Sequence, residues 1–384
     1  MNADRHLMAK RRLAARTSSC EEVGAVAWKP YTPEEARAVR EANLEQMESQ
    51  LTRRVDELVT GDQWLEAMRF AAQFRGRSFL NTLLIQVQHL NAYSEGRVPT
   101  PYPSYVAGRS DWRKLGRWPA KEQTGYLVRK PVVERYAATN PASGRWRKLG
   151  SREKPRPGET VREKMVNVTY GKVWDVSQTD GEPVPERPRP AVLVGAAPAG
   201  LWDGLAAEVG QQGFTLRNAP NVLALDGADG VTDYTTRETI IRADAEDAER
   251  VAVLAHEVGH ILMHDPEAEG REPHRGIREV EAESAAAMVC AIYGLDSGPS
   301  SVPYVAGWAS TVKDVEPAEV IRRTGERVRR IVLKLLDRLP EPVGGDGSPP
   351  PPSPTNEAPQ TRTCAQQSRP AARPTLAETE AVRL

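Results

Sequence analysis

The segment HEVGH at residues 256–260 carries the strongest chemical signal in the sequence. The surrounding run is typical of a helix, where His256 and His260, four residues apart, project from one face. Two neutral imidazoles at this spacing can bind one zinc ion, and Glu257 beside them can act as a general base on water. Three of the six histidines, including His264, lie within nine residues. This clustering favours a metal site over an ordinary helix.

A catalytic zinc ion also needs a third protein ligand and one open position. The candidates lie downstream in a second helical stretch, REVEAESAAA at 278–287. Glu279 and Glu283 share one helix face, so Glu279 could bind the metal while Glu283 orients a histidine. Glu281 points elsewhere, but the choice among the three glutamates stays open, and a solvated acidic face is the alternative. His264 either lines the site, as an orienting residue or a further ligand, or has a capping or surface role.

This set of residues points to hydrolysis by a metal-bound water. Glu257 would take a proton from water and later deliver it to the leaving amine. The predicted strand Glu238–Arg242 just before the motif could pair with an extended substrate. Tyr304 and His274 are candidates for a second donor to the oxyanion. A zinc site that is structural or inactive is the alternative.

The charge distribution divides the 384-residue chain into two parts. Its 52 basic and 52 acidic residues cancel, but residues 101–175 hold 17 Lys or Arg against 7 Asp or Glu, whereas residues 243–283 hold 4 Arg against 12 acidic residues. Such separation indicates two modules with different partners. No run approaches the about 18 apolar residues of a membrane span, and no apolar core follows the basic N-terminus. We therefore expect a cytoplasmic protein without a membrane partner.

The hydrophobic pattern predicts an α+β protein with two domains and disordered ends. Helical spacing begins near residue 41, short strand-like runs follow between 101 and 180, and three helices are predicted at 245–264, 276–293 and 316–338. Proline-rich composition marks a linker and a tail. The predicted segments are a disordered basic tail (1–40), an N-terminal module (41–182), a linker (183–198), a metal-binding module (199–339) and a disordered Pro-rich tail (340–384).

Aromatic and basic residues are mixed in the N-terminal module. Residues 101–175 hold 9 of the 22 Phe, Trp and Tyr residues of the chain. Single-stranded nucleic acid is bound by such mixtures, because Lys and Arg contact phosphates while aromatic faces stack on unpaired bases. Composition alone supports equally a structural interpretation in which the tryptophans form a core. The candidate DNA contacts are Arg109, Trp112, Arg113, Lys114, Arg117, Trp118 and Lys121.

Two groups of segments resemble one known family. HEVGHILMH (256–264) and EVEAESAAA (279–287) resemble zincin peptidases of the ImmA/IrrE and ArdC type. Three further segments are similar to the N-terminal domain of ArdC-type antirestriction proteins: FRGRSFLNTLLIQVQ (74–88), YVAGRSDWRKLGRW (105–118) and VWDVSQTDGEPVP (173–185). The resemblance implies an N-terminal domain that binds single-stranded DNA. It also implies a zinc site formed by His256, His260 and a downstream glutamate, with Glu257 as the base.

The sequence departs from this family in two places. The family commonly has a Gly-Glu-Lys-Gly turn where this chain has Glu122-Gln123-Thr124-Gly125, so one basic turn residue is missing. An insertion around 136–165 is unusually rich in Arg, Lys and Pro. The DNA contacts therefore follow from the resemblance less directly than the fold does.

These observations support three functional hypotheses. The first is a single-stranded DNA-binding protein with a zinc metallopeptidase-like domain that protects mobile DNA or counters restriction. The second is a regulatory zinc protease that cleaves an unknown protein partner recruited by the N-terminal module. The third is a DNA-binding protein whose zinc site does not turn over. We favour the first, because it accounts for both modules.

Overall fold

Helices and small sheets form both halves of the protein, so the predicted α+β class is confirmed. A computed structural model describes residues 32–58, 60–188, 195–269, 275–295, 309, 312 and 315–351. Within these ranges, no helix combines the length and the apolar character needed to cross a membrane. His274 and Tyr304, the predicted oxyanion donors, lie outside the described residues.

Three helices open the N-terminal module, and each begins at a side chain that caps it. Thr32 and Thr60 form reciprocal capping boxes with Glu35 and Gln63, and Ser78 accepts a hydrogen bond from the backbone of Asn81. Because of the capping box at Thr32, the first helix starts at Pro33, eight residues before the boundary predicted at residue 41. The helices are α1 (Pro33–Asp56), α2 (Gly61–Gln73) and α3 (Phe79–Ser94).

Two sheets and a short helix complete this module. Its strands are β1 (Val106–Gly108), β2 (Arg117–Pro119), β3 (Tyr126–Ala138), β4 (Arg147–Lys148), β5 (Thr160–Asp175) and β6 (Thr179–Gly181), and α4 is Arg109–Lys114. The main sheet has the order β1-β5-β3-β4, while β2 pairs with β6. The long antiparallel pair β3–β5 continues beyond the core as a two-stranded ribbon, because residues 130–133 and 160–167 are exposed on both faces.

The second module places a three-stranded sheet beside the helices that carry the motif. Its elements are α5 (Leu201–Gln211), β7 (Thr215–Ala219), β8 (Gly230–Asp233), β9 (Glu238–Arg242), α6 (Asp247–His264), α7 (Pro266–Glu269), α8 (Arg275–Tyr293) and α9 (Pro317–Leu336). Residues 222–225 form a 3-10 turn and do not pair with β9. Strand β9 is central, parallel to β7 and antiparallel to β8.

The central position of β9 corrects one prediction about substrate binding. Both of its edges are already paired with neighbouring strands of the same chain. An extended peptide therefore cannot add to Glu238–Arg242 without displacing β7 or β8. Among the described strands of this sheet, β7 and β8 keep an outer edge.

The two modules share one hydrophobic core. Helix α2 packs on α8, and buried side chains from both modules belong to one continuous cluster. Gly344 and Gly347, predicted as part of the tail, also make hydrogen bonds with earlier parts of the chain. The backbone nitrogen of Val106 donates to the oxygen of Gly347 at 2.9 Å, and Arg187 Nε donates to the oxygen of Gly344 at 2.8 Å.

Candidate metal centre and nucleic-acid interface

Helices α6 and α8 pack closely enough to bring the motif and the acidic stretch together. A Cβ atom on Gly259 would lie 3.1 Å from Cα of Ala282 and 3.3 Å from Cβ of Ala285. These distances are shorter than ordinary van der Waals contact, so glycine at 259 and alanines opposite it permit the close approach. Small residues on both helices therefore allow α6 and α8 to pack this closely.

Two histidines and one glutamate converge between these helices. The ligand atoms of His256, His260 and Glu279 all lie within 4.8 Å of one another. Nε2 of His256 and Nε2 of His260 are 3.0 Å apart, and Oε2 of Glu279 lies 3.7 Å and 3.5 Å from them. Within the described part of the chain, these are the three residues whose side chains could hold a metal ion.

Glu283 occupies a different position from Glu279. Its Oε2 lies 3.3 Å from Nδ1 of His256, on the side of the ring away from Glu279. Burial alone would lower the pKa of His256, but the carboxylates of Glu279 and Glu283 reverse this effect and raise it to about 10. The same contacts with the two histidines hold the pKa of the Glu279 carboxyl well below its usual range. The site is therefore strongly anionic unless a cation or a proton occupies it.

Glu281 lies outside this set and faces a third histidine. Its Oε2 is 2.9 Å from Nε2 of His264, and both side chains are buried. The Nδ1 atoms of His264 and His260 are 3.1 Å apart. Thus His264 and Glu281 lie behind His260, whereas Glu279 shares the side on which the two Nε2 atoms meet.

Glu257, the predicted base, is held by the sheet. Its Oε2 accepts a hydrogen bond from Oγ1 of Thr232 at 2.6 Å, and the residue is almost fully buried. A Cβ atom on Gly230 would come within 3.0 Å of Glu257 Oε1 and 2.7 Å of Val253 Cγ1. Strand β8 therefore lies against the carboxylate, a contact that the sequence analysis missed.

Tyr234 is a second residue that the sequence analysis missed. Its ring packs edge-to-face on Phe214, and its buried hydroxyl has no hydrogen-bond partner among the described residues. Burial raises the pKa of Tyr234 well above its ordinary value; Arg278 opposes this shift and Glu257 adds to it. A buried donor without a partner is costly in a folded protein, so it marks a place where a ligand group would be stabilised.

The structure corrects two of the predicted DNA contacts. Trp112 is fully buried, and its Nε1 donates to the oxygen of Trp174 at 3.0 Å, so it cannot stack on a base. The guanidinium of Arg117 is used inside the fold, where it bonds Oγ1 of Thr179 at 2.8 Å and several backbone oxygens of the β6 region. Trp112 and Arg117 therefore stabilise the fold of the module and are not available to contact DNA.

The other candidates lie on the surface. Trp118 on β2 is 49% exposed, which is unusual for so large an apolar ring. Lys114 is paired with Asp111 at 2.8 Å, so its charge is partly balanced. Arg109, Arg113 and Lys121 are exposed. An exposed indole beside exposed cations retains the combination on which single-strand binding was predicted.

The fold is α+β, and helix α6 carries the HExxH motif. Residues 26–176 match the family model for the N-terminal domain of anti-restriction factor ArdC. This match confirms the predicted resemblance of the N-terminal part of the chain to ArdC-type antirestriction proteins.

Individual relatives are more distant. An uncharacterized protein from Bacillus anthracis is 24% identical over 336 residues, which are 82% of this chain and 54% of that protein. The chain therefore spans about half the length of this relative. The metal-free crystal structure of antirestriction ArdC protein from plasmid R388 aligns with a TM-score of 0.44 and 18% identity, covering 76% of this chain and 99% of that one. The Mn(II)-bound structure has a TM-score of 0.39 and 19% identity, covering 71% and 97%.

Proposed function

We propose that this protein acts in antirestriction by binding single-stranded DNA through its N-terminal module and by cleaving a protein with a zinc-dependent metallopeptidase site. The observation that carries the proposal is the convergence of His256, His260 and Glu279, with their ligand atoms within 4.8 Å, next to the buried Glu257. The match to the N-terminal domain of anti-restriction factor ArdC supports the biological role. The substrate would be a protein that acts near the bound DNA.

The chemistry of the donor set fits zinc. Two imidazole nitrogens and one carboxylate are a common ligand set of catalytic zinc, which leaves one position open. The two Nε2 atoms, 3.0 Å apart with Glu279 beside them, need a cation or a proton between them. A bound zinc ion supplies Lewis acidity, which lowers the pKa of water towards about 7 and polarises a carbonyl.

The residues of this chain would transfer the proton, orient the base, stabilise the oxyanion and bind the substrate. Glu257 accepts a proton from the attacking water at its carboxylate and passes it to the leaving amine. Thr232 holds that carboxylate in one orientation. Tyr234 carries a buried hydroxyl, without a hydrogen-bond partner in the described part of the chain, that could donate to the developing oxyanion. The outer edge of β8, which carries Thr232, offers backbone groups to an extended peptide.

The N-terminal module would bind single strands by stacking and by phosphate contact. Trp118 offers an exposed ring, and Arg109, Arg113 and Lys121 offer charges that are not buried. Stacking on an aromatic ring is worth about 1–3 kcal/mol per base, whereas phosphate contacts make binding sensitive to salt. Binding that weakens steeply with salt and prefers single strands over the matching duplex is the expected result.

The experiment that tests the catalytic part compares the zinc-loaded protein with its Glu257→Gln variant on a mixed peptide library read by mass spectrometry. We expect cleavage by the wild type, loss of cleavage in E257Q and unchanged zinc content in both. Tyr234→Phe should lower the turnover rate without changing zinc content. Equal activity of wild type and E257Q in a cellular restriction assay would favour a DNA-binding protein whose metal site does not turn over.

A further inference from the structure

A row of buried polar side chains leads from His260 away from the proposed metal position. Nδ1 of His260 lies 3.1 Å from Nδ1 of His264, and Nε2 of His264 lies 2.9 Å from Oε2 of Glu281. Arg327 on α9 completes the row, with Nη1 at 3.0 Å from the same oxygen. His264 and Glu281 are only 3% and 2% exposed, so water does not compete for these hydrogen bonds.

The order of donors and acceptors along this row follows from the groups themselves. An ionised carboxylate only accepts, so Nε2 of His264 donates to Glu281. A neutral imidazole has one N–H group, and Nδ1 of His264 must therefore accept. The donor to it is Nδ1 of His260, which leaves the lone pair of His260 on Nε2. That nitrogen is the one that faces His256 and Glu279.

We propose that His264, Glu281 and Arg327 are positioning residues that fix the tautomer and the ring orientation of His260 for metal binding. This inference rests on the proposed metal site. It gives each ligand imidazole its own carboxylate: Glu283 directly for His256, and Glu281 through His264 for His260. Partners of this kind strengthen a metal site because they hold the ligand in place and raise its basicity.

Arg327, on α9, connects the row to helices α6 and α8. Besides Glu281 on α8, it donates to the backbone oxygen of Met263, one residue before His264 on α6. A buried ion pair is not needed for stability, because well-packed apolar residues often replace one without loss. The polar row is therefore better explained by the histidine that it orients than by the packing of α6, α8 and α9.

The test measures Zn²⁺ affinity by competition with a chromophoric chelator, together with the absorption spectrum of the Co²⁺-loaded protein. We expect Glu281→Gln and His264→Phe to weaken Zn²⁺ binding about 10- to 100-fold and to alter the Co²⁺ spectrum. The matched control is Glu208→Gln. Glu208 is equally buried and pairs with Arg338 and Gln212, and none of its described hydrogen bonds reaches His256, His260 or His264. It should lose stability without losing Zn²⁺ affinity.

A conservative variant separates orientation from packing. His264→Gln keeps an acceptor and a donor on one side chain, so it should recover part of the affinity that His264→Phe loses. The proposal is overturned if folded E281Q and H264F, checked by circular dichroism, bind Zn²⁺ as the wild type does. It is also overturned if E208Q weakens binding equally. If the wild type itself does not bind Zn²⁺, the result would instead reject the proposed metal site, on which the role of this row depends.

Discussion

The indole Nε1 of Trp64 donates a hydrogen bond to Oγ of Ser284 at 2.7 Å. Trp64 lies on α2 of the N-terminal module, and Ser284 follows Glu283 on α8 of the second module. Both residues are fully buried. The contact therefore links the helix that carries Glu279 to the core of the predicted DNA-binding module.

Replacing Ser284 by Ala removes this hydrogen bond, and the one that Ser284 Oγ donates to the oxygen of Val280, with little change in volume. We expect a loss of about 1–3 kcal/mol in the free energy of unfolding, because the buried indole N–H loses this acceptor. Urea denaturation followed by tryptophan fluorescence and by circular dichroism measures it. Because the modules share one core, both signals should change in a single transition. Two separate transitions would show that the modules unfold independently.

Metal binding should depend on pH through His256. In the metal-free protein the pKa of His256 is raised to about 10, so at pH 7 the ring carries a proton that an ion must displace. Apparent Zn²⁺ affinity should therefore rise with pH up to about 10, by about tenfold per unit for one displaced proton. Titration calorimetry in buffers of different ionisation enthalpy counts the released protons. Binding at pH 7 without proton release would contradict the predicted protonation of His256.

The hydrogen bond from Thr232 to Glu257 should affect turnover rather than metal binding. Thr232→Val keeps the shape of the side chain but removes the donor that fixes the carboxylate. We expect the turnover rate on a cleaved peptide to fall about tenfold, equivalent to about 1.4 kcal/mol, with Zn²⁺ affinity unchanged. Thr235→Val, an exposed position near the end of the same strand, is the control. An equal loss in both variants would point to strand stability instead.

The exposed residues Trp118 and Arg113 should contribute to DNA binding in different ways. Trp118→Ala should weaken binding of a labelled single-stranded oligonucleotide by about 1–3 kcal/mol, because the exposed ring is available for stacking. Arg113→Ala should instead reduce the salt dependence, since a phosphate contact releases counterions. Fluorescence anisotropy across a salt series measures both effects. Unchanged affinity in W118A would remove the proposed stacking surface.

The helices of the metal site were predictable because their hydrophobic spacing is regular over many residues. Helices predicted at 245–264 and 276–293 are observed at Asp247–His264 and Arg275–Tyr293. The contact of Thr232 with Glu257 was not predictable. Strand β8 is four residues long and too short for an alternating pattern, and its place beside α6 is set by tertiary packing.

The surface of the N-terminal module was less predictable, because composition does not show which side of an element faces the core. Trp112 and Trp118 stand six residues apart in the same basic run, yet the first is buried and the second exposed. Arg117 lies between them in the sequence, and its guanidinium donates hydrogen bonds to backbone oxygens. By contrast, the early start of α1 had a readable signal in the capping box Thr32–Glu35.

The most direct test of the central claim is zinc stoichiometry and affinity in four proteins: the wild type, His256→Ala, Glu279→Gln and Glu257→Gln. We predict one Zn²⁺ per chain in the wild type and in E257Q, because Glu257 is not among the three converging ligand residues. H256A and E279Q should bind at least about tenfold more weakly, since each loses a ligand. Tight binding in H256A, or loss of the ion in E257Q alone, would contradict the proposed site.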